Sequence, residues 1–291
     1  MDSADHIPQP PVATLRDYVL EPYAPRASLD GRLHASSLLR AFLRDQGWLE
    51  GVTPLLDRLR AHLGPDQTVW GIKIRRQGPP SVELYWYNHC RNAPGHPMST
   101  QALAAALDGP LRVSSPADAR LPYLMCSLEL DGAALAAGVA PPFRIYLPGR
   151  RDQEGYDGVS FRLEPDQLVQ EGTYAFYPQP AQRAAYRARL GSAWRLGGAD
   201  RRRWAADPAL SAHHCVCYAS KIHTEALYFG RVPTAALLGP LATLWPAQAD
   251  RLAALAPRLD HLCWDLGVDF AVGPNTLDQS TVEKVGLYGV I

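Results

Sequence analysis

The sequence predicts an α+β protein in which about ten antiparallel strands, arriving as hairpins, close into a barrel surrounded by helices. Three observations carry this. Strand-like segments come in pairs joined by short turns, which makes them antiparallel. Helical segments fall between the pairs instead of alternating singly with strands, which argues against a doubly wound parallel sheet. The strands alternate polar with apolar residues, as a barrel with a wet interior requires. Two smaller packed α+β sheets are the alternative, because a sheet of this many strands tends to curl or split.

The elements follow in order. Residues 1 to about 28 are proline-rich and read as an extended lead-in, and residues 29–291 as a single domain. Gly31 to Leu63 has helical spacing, with a break at Gly51 and a second helix expected from Thr53, where Thr53–Pro54 form an N-cap and first-turn pair. VWGIKIR (from Val69) and VELYWYN (from Val82) form the first hairpin. A short helix is expected over Pro97–Leu107, then strands at Tyr123–Leu130 and Phe143–Leu147. VSFRL at Val159 and TYAFY at Thr173 make a further pair. A helical region starting at Pro180 leads to the hairpin CVCYASKIHTEALYFGRV, which turns at Ile222–Glu225. Helices at Thr234–Leu244 and Ala247–Leu262 precede the last two strands, Gly267–Val272 and Val282–Ile291.

Composition narrows the function. Charged residues make up 20% of the chain and the formal net charge is zero, so a broad nucleic-acid surface is not expected. No apolar run approaches the roughly 20 residues of a membrane helix, and the N-terminus lacks the apolar core of a secretory signal. Five scattered cysteines do not form a disulfide framework. A cytoplasmic, reduced protein is expected, with small molecules as partners and neither nucleic acid nor membrane among them; the oligomeric state has no sequence signal.

The strand phases group the chemistry. Lys73 and Arg75 share one face of the first hairpin, and Glu83, Tyr85 and Tyr87 share one face of its partner strand. Arg144 falls with Tyr146, Lys221 with Cys217, Tyr228 with Ala226, and Lys284 with Tyr288. Lys73, Lys221 and Lys284 are the three lysines among 29 basic residues. On an open sheet these faces would meet solvent. Turned into one barrel, Lys73, Arg75, Arg144, Lys221 and Lys284 would hold a polyanion such as a diphosphate. Tyr85, Tyr146, Tyr228 and Tyr288 would wall a carbocation, and Glu83 would orient or deprotonate an acceptor.

This arrangement resembles the ABBA-type aromatic prenyltransferases, and Arg144-Ile145-Tyr146-Leu147-Pro148 is similar to the basic-x-Tyr strand motif of their indole-prenylating branch. The resemblance implies a ten-stranded barrel ringed by helices that transfers a prenyl group from an allylic diphosphate to an aromatic small molecule or peptide side chain. The helix expected between Leu147 and Val159 is missing from this sequence, a departure from that pattern. No cofactor is required by the sequence, magnesium being the one considered. Two other functions stay open: a binding or accessory protein for a small aromatic or anionic ligand, and a hydrolase or lyase using Cys90 with His89 or Cys215 with His223. His213, Cys215 and Cys217 share a strand face but match no zinc spacing, so no metal site is expected. Asp265 and Asp269 are read as charges at a helix–strand junction, and Arg201–Arg203 as a solvated helix face.

Overall fold

The computed structural model describes residues 5–87, 100–113, 123–152, 155–164, 166–193, 195–197, 203, 207, 210, 214–272 and 280–291. A small hairpin, β1 (Leu15–Arg16) and β2 (Pro22–Tyr23), comes first. Then follow α1 (Ser36–Asp45), α2 (Leu49–Leu63), β3 (Thr68–Arg75), β4 (Ser81–Tyr87), α3 (Thr100–Leu107), β5 (Arg112–Val113) and β6 (Met125–Asp131). The middle of the chain holds α4 (Gly132–Ala137), β7 (Val139–Ala140), β8 (Arg144–Asp152), β9 (Gly155–Leu163), β10 (Leu168–Pro178) and α5 (Arg183–Gly191). The last elements are β11 (Cys215–Lys221), β12 (Glu225–Pro233), α6 (Thr234–Leu244), α7 (Pro246–Leu259), β13 (Cys263–Val272) and β14 (Ser280–Val290).

Ten strands close a barrel in the order β10-β11-β12-β13-β14-β3-β4-β6-β8-β9. Every neighbouring pair is antiparallel. The predicted α+β barrel is therefore the fold, and the two-sheet alternative falls. Closure leaves no strand edge among these ten to be covered. Strands β8 and β9 stay paired as far as Asp152–Gly155, across the stretch where the sequence comparison expected a helix. One seam is short: β6 meets β8 only through Met125–Tyr146, Cys126–Ile145 and Ser127–Arg144.

Period-two alternation sorts the side chains to two sides of the wall. Trp70, Ile72, Leu84, Trp86, Leu128, Ile145, Phe229, Trp264, Leu266 and Val268 face outward. There they pack under Leu38, Leu39 and Phe42 of α1, Leu55 and Leu59 of α2, Leu237 and Leu241 of α6, and Leu252 and Leu255 of α7. These helix residues recur at three- and four-residue spacing, one apolar stripe per helix. Burial of each large side chain contributes roughly 1.5–3 kcal/mol, so this layer between helices and barrel is the main hydrophobic core. The inward face carries a smaller apolar set, Val69, Tyr85, Tyr87, Met125, Tyr288 and Val290, joined by Leu20 of the N-terminal hairpin.

Of the boundaries that differ from the sequence reading, those of α2 and α7 move furthest from the expected signals. Helix α2 begins at Leu49, ahead of the expected Thr53 cap, and contains Pro54. The Thr53 hydroxyl donates instead to the Leu49 carbonyl at 2.7 Å. Pro54 is the sixth residue of α2 and has no N–H for the Glu50 carbonyl, so the helix forgoes that one bond. Helix α7 stops at Leu259, and β13 starts at Cys263. Asp265 and Asp269 thus lie within a strand and not at a helix–strand junction.

The N-terminal residues lie against the barrel. Asp5, Leu15, Asp17 and Leu20 are buried, and Arg44 of α1 clamps Asp5 through both nitrogen positions at 2.7–2.9 Å. No helix among the described residues is long and apolar enough to cross a membrane.

Candidate active site

Side chains of next-but-one strands touch, which is possible only on the concave side of a closed wall. By this criterion, and for Lys284 by its phase with Tyr288 in β14, all ten residues expected at the site face the lumen. They fall into two adjoining layers.

The first layer is a belt of tyrosines. Tyr85 (β4), Tyr288 (β14), Tyr228 (β12), Tyr174 (β10) and Tyr146 (β8) come from every second strand around the barrel. Successive ring centroids lie 5.9 Å (Tyr85–Tyr288), 6.3 Å (Tyr288–Tyr228), 6.4 Å (Tyr228–Tyr174) and 5.7 Å (Tyr174–Tyr146) apart. The intervening strands place small residues opposite them. Gly71 pairs with Tyr288, Gly267 with Tyr228, Ser127 with Tyr85, and Ala219 with Tyr174. At Gly71 and Gly267 a Cβ would lie within 2.6–2.8 Å of ring carbons of Tyr288 and Tyr228. The glycines therefore let each ring lie flat along the wall, a cross-strand Tyr-over-Gly pairing. Burial raises all five phenols above the ordinary tyrosine range, so they stay neutral hydroxyls.

The second layer is ionic and lies toward the β3–β4 and β11–β12 turns. Glu83 of β4 has no exposed surface and accepts from Lys73 Nζ and from the Tyr85 and Ser127 hydroxyls. Lys73 also reaches Glu129 of β6 at 3.3 Å, and Arg75 donates to the other Glu129 oxygen. Arg144 bridges Glu129 at 3.1 Å and Glu171 of β10 at 2.6 Å. On the opposite wall Asp269 of β13 accepts from Lys221 at 2.6 Å and Lys284 at 3.0 Å, and Lys221 also donates to the Tyr228 hydroxyl at 2.7 Å. Exposure separates the cations: Lys73 side chain is 7% exposed, Lys221 and Lys284 are 17%, and Arg144 is 27%. Lys73 and Glu83 thus form a dry base, while Arg144, Lys221 and Lys284 present surface to the lumen.

The electrostatics follow this packing. Burial drives Lys73 well below the usual lysine range, and Lys284, Arg144 and Lys221 push the same way while Glu129 opposes them. Burial would raise Glu129, yet Lys73, Arg144 and Arg75 outweigh it and hold the carboxyl well below its ordinary value. Asp269 is likewise lifted by burial but brought down by Lys221 and Lys284, to about 2. Lys284 is lowered by burial to about 8, with Lys221 adding to the effect and Asp269 resisting it. In the β14–β3 register Lys284 lies opposite Arg75, so the cluster of Lys221 and Lys284 on Asp269 adjoins the cluster of Arg75 and Arg144 on Glu129. One buried carboxylate oxygen, Asp269 Oδ1, has no hydrogen-bond donor among the described residues; such an atom costs roughly 1–3 kcal/mol unless a ligand or solvent meets it.

Sequence reasoning missed Glu129, Glu171, Asp269 and Tyr174. Their strand phase was a usable signal, since Glu129 is two residues from Ser127 and Tyr174 two from Phe176 in strands the alternation had already marked. It also missed Tyr18, which enters from the N-terminal hairpin.

The cysteine readings do not gather a site. Cys215 opens β11 while His223 lies in the turn beyond its far end, Cys90 and His89 lie outside the described residues, and so does His213. Burial raises the Cys217 thiol well above its ordinary range, the opposite of nucleophile activation. Asp17, Glu21 and His214 do cluster, but the Arg231 guanidinium already sits on Asp17 at 2.7 Å and reaches Glu21 at 3.6 Å. Arg201 and Arg202 lie outside the described residues.

No family model matches the chain, and no curated protein matches it. Among solved structures, the crystal structure of 5-dimethylallyltryptophan synthase from Streptomyces coelicolor matches with a TM-score of 0.50 and 12% identity, over 87% of this chain and 96% of that one. At this identity the likeness is one of fold, and that fold extends over nearly the whole of both chains.

Proposed function

We propose that the protein is a transferase of the ABBA prenyltransferase type, moving a prenyl group from an allylic diphosphate to an aromatic small molecule or a peptide side chain. The observation that carries this is the stacking of a cationic layer directly on a tyrosine belt inside one closed lumen. Arg144, Lys221 and Lys284, backed by Lys73 and Arg75, would grip the diphosphate. The allylic C–O bond breaks and its electron pair leaves with the diphosphate. The allyl cation then lies against Tyr85, Tyr146, Tyr228, Tyr288 and Tyr174, whose ring faces are negative and whose hydroxyls stay neutral. An aromatic carbon of the acceptor attacks the cation, and the ring then gives up the displaced proton. Glu83 would orient the acceptor by exchanging the Ser127 or Tyr85 hydroxyl for a donor of the acceptor. The donor-free Asp269 oxygen offers a second acceptor for the released proton.

The test is release of diphosphate from dimethylallyl diphosphate in the presence of a panel of indoles and phenols, with and without magnesium. Release that depends on the acceptor and is lost in Arg144→Ala and Lys221→Ala supports the proposal. Silence across the panel overturns it.

A second reading rests on a different observation: each luminal cation named above has a carboxylate partner among the described residues. An incoming diphosphate must exchange those ion pairs for its own, which favours a binding or accessory protein holding a small aromatic ligand against the tyrosine belt. Thermal stabilisation by such a ligand with no turnover of any prenyl donor would select this reading.

A further inference from the structure

Toward the barrel end opposite the ionic layer stands a residue that does not belong to the barrel. Tyr18, at the tip of the β1–β2 hairpin, inserts its ring edge-on among Tyr288, Tyr85 and Tyr87, with centroids at 5.0, 5.2 and 6.0 Å. Its hydroxyl lies 3.9 Å from Met125 Sδ. Tyr288 and Tyr85 belong to the belt, so Tyr18 is the next layer of the lumen in the direction away from the cations.

The hairpin is fixed to the rim at several points. The Tyr18 backbone N–H donates to Asp265 Oδ2 at 3.1 Å. Asp17 accepts from Arg231 Nε at 2.7 Å and, through its other oxygen, from the backbone N–H groups of Val19 and Glu21. Leu20 (φ 60°) and Arg231 (φ 56°) are both non-glycine residues in the left-handed region, one at the hairpin tip and one at the β12 bulge that receives it. Such conformations persist only where surrounding contacts enforce them. Beyond Tyr18 lies a cavity lined in part by Gln9, Asp17, His34 and Asp265, to which Tyr18 and Tyr288 also contribute. Tyr18, packed edge-on against Tyr288, therefore stands with it between the rest of the tyrosine belt and this further space.

We propose that Tyr18 is a specificity-determining residue: it forms the end wall of the lumen and sets the length of aromatic ligand that fits between that wall and the cations. This rests on the lumen being a ligand site, but not on prenyl chemistry. Removing the ring joins the belt to the cavity behind it and lengthens the chamber without altering the ionic layer.

The experiment titrates purified protein with benzenesulfonate, naphthalene-2-sulfonate and anthracene-2-sulfonate, whose fixed negative group addresses the cations while the ring system grows toward Tyr18. Wild type and Tyr18→Phe should bind the one- and two-ring probes and discriminate against the three-ring probe. Tyr18→Ala, and Tyr18→Leu as a milder truncation that keeps an apolar contact on Tyr288, should bind the three-ring probe at least about tenfold more tightly, with the one-ring probe unchanged. Circular dichroism verifies the fold of each variant. An unchanged size profile in both truncations overturns the proposal, and so does absence of binding to any of the proteins. Failure of wild type to release diphosphate in the preceding assay does not affect this measurement, so the two proposals fail separately.

Discussion

Gly267→Ala probes whether the tyrosine rings lie against the barrel wall. An added Cβ would sit 2.7 and 2.8 Å from two ring carbons of Tyr228 and 3.3 Å from Tyr288 Cε2. Non-bonded carbons settle at about 3.5–4.0 Å, so the Tyr228 ring must swing away by about 1 Å. Overpacking of this kind costs about 1–3 kcal/mol. The swing also draws the Tyr228 hydroxyl off Lys221 Nζ, now at 2.7 Å, a further loss of about 1 kcal/mol. The total is about 2–4 kcal/mol. For 291 residues, an unfolding entropy of about 2.1 cal/mol/K per residue gives about 0.6 kcal/mol per degree, so the melting temperature should fall by about 3–7 °C. Scanning calorimetry measures this. Gly51→Ala is the matched control, because Gly51 lies inside α2 with nothing within 4 Å of the new methyl and should stabilise the protein by about 0.5–1 kcal/mol. In a Tyr228→Ala background the same Gly267→Ala change should become nearly neutral. Equal melting temperatures for Gly267→Ala and Gly51→Ala, or an undiminished loss once the ring is gone, would refute the packing described above.

Other expectations follow from the charges. The Lys284 ammonium titrates at about 8, so naphthalene-2-sulfonate, whose charge is constant, should bind about fivefold more weakly as pH rises from 7 to 9.5, and Lys284→Gln should remove that step. Asp269 is held at about 2 against about 3.9 in the unfolded chain; because the folded value is depressed, its stabilisation of about 2–3 kcal/mol is complete above pH 4 and lost as pH falls toward 2. Urea midpoints at pH 4.5 and 2 should therefore converge between wild type and Asp269→Asn, and a constant gap would contradict the ion-pair assignment. Arg231→Ala leaves Asp17 buried without its cation, so the hairpin should loosen and trypsin should cut after Arg16 about tenfold faster; an unchanged rate would show that other contacts hold the hairpin.

Much of the lumen was legible because strand periodicity is local. Once residues 69–75 and 82–88 are read as strands, Lys73 must share a side with Arg75, and Glu83 with Tyr85; the register that sets Gly71 opposite Glu83 puts the two pairs on one side, and closure makes that side the inside. Two kinds of residue escaped. Asp265 and Asp269 were misplaced because the apolar pattern of α7 runs on to Leu262, which delays the apparent start of β13; the strand in fact begins at Cys263. Tyr18 carries no periodic signal at all. Its place depends on Asp265, 247 residues away, and on Arg231, contacts that only the closed barrel creates. The luminal carboxylates have a related cause: Glu129 and Glu171 look like ordinary exposed strand residues until closure turns them toward Arg144.

The short β6–β8 seam has a consequence for how the barrel holds shut. Elsewhere neighbouring strands are stitched by long ladders, but here three residue pairs do the work. Arg144 stands at that seam and fastens Glu129 on one side of it to Glu171 on the other. The same guanidinium is among the most accessible luminal cations. Clasp and recognition group are thus one residue, and an anion that recruits Arg144 also draws on the fastening of the wall around it. Slow amide exchange at Cys126 and Ile145 would then be a gauge of occupancy, read from the backbone of the container and not from the ligand inside it.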